Sequence, residues 1–226
     1  MTTKSKQEIQ NQLAPLAKTL FNDNLVCLFR HGDALSQISL FLKDLNPHKL
    51  PEISGFLKVL EKMHLSMAYL FTPEMVQTAA DTYPLEFLDI AQHHEVLIGE
   101  MPLLGFVPSR AALRLQCERE LRGLLIHLHR ERAIHSRSSE IRRMLERTFP
   151  HFFPVFHGVC WLLDGSYPQD VPQTLGLIGQ HWQLENLFAR IQQPVHDQDG
   201  LRTLAGDYIL GIESITQSID RMEVQS

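Results

Sequence analysis

The sequence predicts an α+β fold: a small α/β unit over residues 1–104, followed by an all-helical bundle over residues 105–226. Three observations predict it. Before residue 100 the apolar residues come in runs of strand length set between helical stretches. After residue 109 they recur at steps of three and four. Between the two regimes Pro102, Gly105 and Pro108 cluster, as at a domain boundary.

In the N-terminal half, residues 5–22 read as one helix. Leu25-Val26-Cys27-Leu28-Phe29 is an apolar run of strand length. Ile38, Leu40 and Leu42 alternate with Ser39, Phe41 and Lys43, which reads as a second strand. Residues 47–62 place Leu50, Ile53, Leu57 and Leu60 on one side of a helix. Residues 65–71 read as a third strand. Thr72-Pro73-Glu74 closes it with an N-cap, a first-turn proline and an acid near the positive helix end. Residues 95–99 read as a fourth strand.

The C-terminal half opens at Ser109, an N-cap for a helix carrying Leu113, Cys117, Leu121, Leu124 and Leu128. Ile141, Leu145, Phe149, Phe152, Phe156, Val159 and Leu163 form a second stripe ending at Asp164-Gly165. Pro150 and Pro154 each remove a donor and crowd the preceding turn, so a kink or two consecutive helices is expected there. A shorter pair, about 171–178 and 182–192, is expected to separate at Gly179. Leu201, Leu204, Tyr208, Ile212, Ile215 and Ile219 give the most regular stripe. Together these predict a four- or five-helix bundle around a shared core. Phe149, Phe152, Phe153 and Phe156 cannot all face one stripe, because neighbouring helical positions diverge by about 100°. Phe153 is therefore expected on an exposed patch, with a homodimer formed through the helical domain.

The chain has 226 residues, 44% hydrophobic and 21% charged, which excludes wholesale disorder. Cys27, Cys117 and Cys160 are widely spaced and odd in number, against a disulfide scaffold or a cysteine-rich zinc site. No apolar run of about 18 residues exists, and residues 1–12 are polar where a signal peptide is greasy, so a cytoplasmic protein without membrane spans is expected. The net charge of −5 is unevenly spread. Residues 110–147 hold ten arginines against five glutamates, while both flanks are acidic, and no lysine follows Lys62. Arginine forks suit phosphates and carboxylates, so the block reads either as an anion surface or as internal pairing with the acidic flanks. The overall acidity argues against a dedicated nucleic-acid binder.

Twelve histidines invite a metal reading, but His93-His94 diverge as neighbours, His127 and His129 diverge on a helix, and there is no HExxH. No GxSxG, Walker loop or GxGxxG occurs. Arg130 and His135 fit an R-x4-H pattern. It is similar to that of a family of helical ribonucleases, the higher-eukaryote-and-prokaryote nucleotide-binding domains. There the histidine acts on a 2′-hydroxyl and the arginine stabilises phosphate charge.

The run Pro84-Leu85-Glu86-Phe87-Leu88-Asp89-Ile90, followed by His93-His94-Glu95-Val96-Leu97-Ile98-Gly99-Glu100, resembles bacterial nucleotidyltransferase-like proteins of the polymerase-β superfamily. Residues 113–123 are similar to that family's first C-terminal helix. The likeness covers residues 20–226 and is most specific in 82–123. Active members carry Gly-Ser after the first strand and Asp-x-Asp on the second. Two carboxylates two residues apart on one strand face hold the Mg²⁺ ions, and a later strand supplies a third. Here Arg30-His31 stand where Gly-Ser belongs, and Gln37-Ile38-Ser39, preceded by Ser36, stand where Asp-x-Asp belongs. The third strand carries no acid. Neutral Gln37 and Ser39 cannot anchor Mg²⁺. The resemblance therefore implies a degenerate, non-catalytic nucleotidyltransferase that binds a protein or a nucleotide, with no Mg²⁺ cofactor. Arg30, His31 and Ser36 remain candidates for holding an anion at the strand end. Two alternatives stay open: an active transferase using Asp33 and Asp44, and the R-x4-H ribonuclease.

Overall fold

Four strands form one mixed sheet in the computed structural model, which describes residues 6–32, 35–193 and 197–223. They are β1 Leu25–His31, β2 Gln37–Leu42, β3 Ser66–Phe71 and β4 His94–Gly99, in the order β3-β2-β1-β4. β1 runs antiparallel to both β2 and β4, and β2 runs parallel to β3. The chain divides into two units, residues 1–107 and 108–226.

In the first unit the sheet is covered on both faces, which is why β1 and β2 read as nearly continuous apolar runs. Leu28, Ile38, Leu40 and Leu42 pack with Ile9, Leu13 and Ala17 of helix α1 (Lys6–Phe21) and with Phe56 and Leu60 of α2 (Ser54–Lys62). Cys27, Phe29, Phe41 and Phe71 point the other way. They pack with Val76 of α3 (Pro73–Ala79), Phe87 and Ile90 of α4 (Pro84–Gln92), and Met101 and Leu103. Thr72 caps α3 as its sequence predicts, accepting the Met75 N–H at 3.2 Å. Thr72→Ala is expected to cost about 1 kcal/mol, read as a lower urea midpoint.

The second unit contains α5 (Arg110–Ile134), α6 (Ser138–Thr148), α7 (Phe153–Asp164), α8 (Val171–Trp182), α9 (Glu185–Gln192) and α10 (Gln198–Asp220). The described bundle thus has six α-helices rather than four or five. Pro150 sits in a 3-10 turn, and Pro154 lies in the first turn of α7 where no donor is missed, so the second stripe divides into α6 and α7. α8 ends at Gln183, in the left-handed region at φ +59°, and not at Gly179. Gly179 lies within α8 because a Cβ there would stand 3.1–3.3 Å from Glu185 at the start of α9.

All six apolar positions of the α10 stripe are buried. Its Tyr208 meets Phe149 and Phe152 edge-on, with centroids 5.9 and 5.8 Å away, and Phe156 packs on Phe188 at 6.1 Å. Phe156→Ala is expected to cost about 3–5 kcal/mol, because a fully buried ring leaves a cavity its aromatic neighbours cannot close. A denaturation midpoint for the helical unit measures it. Phe153 is not on an exposed patch: it is half-buried, edge-on to Phe149 and Phe156, because the 3-10 turn rotates the stripe before α7 starts.

Candidate functional site

The residues singled out at positions 30–39 lie where β1 ends and β2 begins, at one end of the sheet. In the β1–β2 pairing His31 lies opposite Gln37 and Phe29 opposite Ser39, so these four side chains share the face that packs against α4. Ser39 is fully buried. Its Oγ lies 2.8 Å from His31 Nε2 and accepts the Tyr69 N–H at 3.0 Å. The β2–β3 register shifts between Ile38 and Leu40, and at this irregularity the Tyr69 N–H turns to Ser39. His31 is sealed between rings: Tyr69 stacks on it at 5.7 Å and 17°, and Phe29 lies at 5.4 Å. His94 Nδ1–H donates to the Ile90 carbonyl at 2.7 Å and meets Phe29 edge-on.

Burial pushes the His31 imidazole below its ordinary value; Asp89 opposes this, while His93 and His94 reinforce it. Burial raises the Tyr69 phenol, helped by Glu86 and Asp89. His31 is therefore a neutral hydrogen-bonding group near neutral pH. Because the unfolded chain binds this proton more tightly, the unit keeps His31's full contribution above the unfolded value of about 6.5 and loses it as pH falls toward the lower folded value. His31→Gln is expected to flatten the fall in urea midpoint just below pH 6.5; a variant with the wild-type slope would contradict this role.

Arg30 lies on the opposite face from His31, because side chains alternate along β1. It is 8% exposed and its Nε donates to Glu95 Oε2, while Lys6 Nζ stands 3.9 Å from the other oxygen of the same carboxylate. The structure therefore does not bring Arg30 and His31 to one anion site. Ser36 sits in the β1–β2 connection, where its carbonyl accepts the Ser66 N–H at 3.1 Å. Gln37, half-buried at the start of β2, lies over Gly32, whose φ of +73° suits glycine. A Cβ on Gly32 would come within 2.9 Å of the Gln37 side chain.

Asp33 lies outside the described residues. Asp44 lies beyond the other end of β2, its backbone N–H and carbonyl both bonded to the Asn24 amide at 2.9 and 3.0 Å. It borders a cavity of about 240 Å³ with Leu20, Phe21, Leu42 and Lys49. Among the described residues no group of three or more His, Cys, Asp or Glu is arranged to hold a metal ion. The three cysteines are buried, and burial raises each thiol, Cys27 and Cys160 to about 12, so none is poised as a nucleophile.

In the helical unit, Arg130 is exposed on α5 and His135 caps that helix, its Nε2 3.4 Å from Glu131. Glu131 is buried and also pairs with Arg147. No hydrogen bond or ion pair joins Arg130 to His135 among the described residues. The arginine block is largely paired within its own unit. Arg114 and Arg122 share Glu118, Arg122 also reaches Asp220 at 2.9 Å, Arg110 donates to the Leu162 carbonyl, and Arg142 lies 4.0 Å from Glu146.

Sequence reasoning missed Glu95 as the partner of Arg30 and the Tyr69 backbone as the partner of Ser39. The only local sign of the first was an arginine at the end of an otherwise apolar strand. No protein-family model matches this chain, and no curated protein matches it.

Proposed function

We propose that this chain is a non-catalytic, nucleotidyltransferase-like protein that works by binding a protein or a nucleotide. One observation carries the reading. Ser39, at a position where the metal chemistry requires a carboxylate, is a fully buried neutral group spent on His31 and the Tyr69 backbone. A hydroxyl held this way offers no charge to a divalent ion and no path for a triphosphate to reach it. Gln37, the other such position, is neutral as well, and β3 carries no acid. The internal commitments of Arg30 and His31 favour a protein ligand over a nucleotide.

The test is to incubate the full chain with labelled ATP, GTP, CTP and UTP, Mg²⁺ or Mn²⁺, and candidate acceptors. No metal-dependent transfer is expected. Robust transfer that Asp33→Asn or Asp44→Asn abolishes would establish the active-transferase reading instead. Calorimetry with the same nucleotides, with and without EDTA, separates the two binding modes. Heat of binding unaffected by EDTA marks a metal-free nucleotide ligand, and no heat leaves the protein ligand.

A further inference from the structure

At the opposite end of β2 from Gln37 the first unit holds a cavity of about 240 Å³ that the reading above does not use. Its floor belongs to the core. Phe21 and Leu42 are buried there, and Leu20, Leu45 and Ile53 pack against the same apolar cluster. Its rim is polar: Asp44, Asn46, Lys49 and Glu52 border it, and all four are exposed. An apolar floor beneath a few convergent polar groups is the arrangement of a small-molecule site.

Backbone hydrogen bonds hold the rim in place. The Asn24 side chain accepts the Asp44 N–H at 2.9 Å and donates to the Asp44 carbonyl at 3.0 Å. The Lys49 N–H donates to the Asn46 carbonyl, and the Glu52 N–H to the Lys49 carbonyl, both at 3.0 Å. Two successive three-residue turns thus bring positions 46, 49 and 52 to one side of the segment. Asn46 Oδ1 accepts the His48 N–H at 2.9 Å, which leaves the Asn46 amide nitrogen as a donor. Asp44, Lys49 and Glu52 form no ion pair among the described residues, although Lys49 and Glu52 stand one turn apart. Charges of both signs therefore face a ligand.

We propose that this cavity binds a free apolar α-amino acid of the size of leucine. The aliphatic side chain fills the floor against Phe21, Leu42 and Ile53. The α-carboxylate pairs with Lys49 and the Asn46 amide, and the α-ammonium with Asp44 and Glu52. A phosphate ester would meet two carboxylates for one lysine. A plain amine or fatty acid would leave one sign of charge on the rim unused. The volume lies just below the range of about 300–1,000 Å³ for drug-sized ligands, which suits about ten non-hydrogen atoms and excludes a nucleotide. Exposed ion pairs contribute little alone, so the buried side chain supplies much of the affinity, and a Kd of about 0.1–1 mM is expected.

Amide NMR of the full chain during titration with L-leucine to about 10 mM tests this. Saturable shifts are expected, confined to residues 42–53 and the end of α1. Isopentylamine lacks the carboxylate, isocaproate lacks the ammonium and glycine lacks the side chain, and each should bind at least about tenfold more weakly. Lys49→Gln should weaken leucine about tenfold and leave isopentylamine unchanged. Glu52→Gln should weaken leucine about threefold and leave isocaproate unchanged. Both positions are exposed, so both variants are expected to keep the wild-type amide spectrum elsewhere. The absence of saturable shifts at about 10 mM leucine would overturn the inference. So would isopentylamine or isocaproate binding as tightly as leucine, or leucine binding that Lys49→Gln leaves unmoved. The outcome is independent of the nucleotide measurements above, which share neither the ligand nor the cavity.

Discussion

Placing a carboxylate at position 39 is expected to damage the first unit instead of creating a metal site. Ser39→Asp should lower stability by about 3–5 kcal/mol, seen as a large drop in urea midpoint. The side chain has no exposed surface, and the space around it is filled by His31 and the Tyr69 backbone. An added carboxylate is desolvated, and it finds a counter-charge only by protonating an imidazole whose burial opposes protonation. Ser39→Ala is the control. It removes the acceptor of one buried N–H and the partner of one imidazole, and should cost about 1–3 kcal/mol. If Ser39→Asp is as stable as wild type, the site is more open to water than the packing allows.

Gly99→Ala is expected to be more damaging still, at roughly 4 kcal/mol or more, or to prevent folding of the first unit. Gly99 ends β4 at φ +80°, a conformation that costs any L-residue free energy. Its Cβ would also run into the Val26 carbonyl oxygen, a backbone atom of β1 that cannot swing aside. Relief would require moving β4 away from β1, whose pairing there joins Cys27 to Gly99. The soluble yield and the thermal midpoint of the variant measure the effect. By contrast Gly105→Ala should be mild, since φ +74° strains it but nothing lies within 4 Å of the new carbon.

The α+β architecture was legible because its signals are local. The stripe of α10 follows from period alone, and Thr72-Pro73-Glu74 marks a helix start with three independent cues. Helix α4, whose sequence stood out for its family likeness, carries no such regular stripe. Leu85, Phe87, Leu88 and Ile90 are all buried, so its apolar pattern does not distinguish helix from strand. The break after α8 was misplaced because glycine is the usual sign of a helix end, whereas Gly179 is there for the close approach of Glu185. Gln183 takes the left-handed conformation that ends the helix.

The candidate site was legible only in part. That Gln37 and Ser39 share one face follows from their spacing on a strand. What they touch does not follow, because their partners come from other elements: Tyr69 of β3, and Asp89 of α4 acting on His31 across the space between helix and sheet. The pairing of Arg30 with Glu95 spans 65 positions of the chain and depends on β4 lying beside β1. Phe153 was read from the ideal helical step between positions 152 and 153, whereas the chain passes there from a 3-10 turn into α7.

The account rests on the claim that Ser39 belongs to a sealed hydrogen-bond node, with His31 and the Tyr69 backbone, that has no affinity for divalent ions. Amide NMR of the full chain during titration with Mn²⁺ and a non-hydrolysable nucleoside triphosphate tests it most directly, because a bound Mn²⁺ broadens nearby resonances strongly. The account predicts that the Ser39, His31 and Tyr69 amide signals keep their intensity at stoichiometric Mn²⁺. Selective loss of those three signals at substoichiometric Mn²⁺, reversed by EDTA, would contradict it.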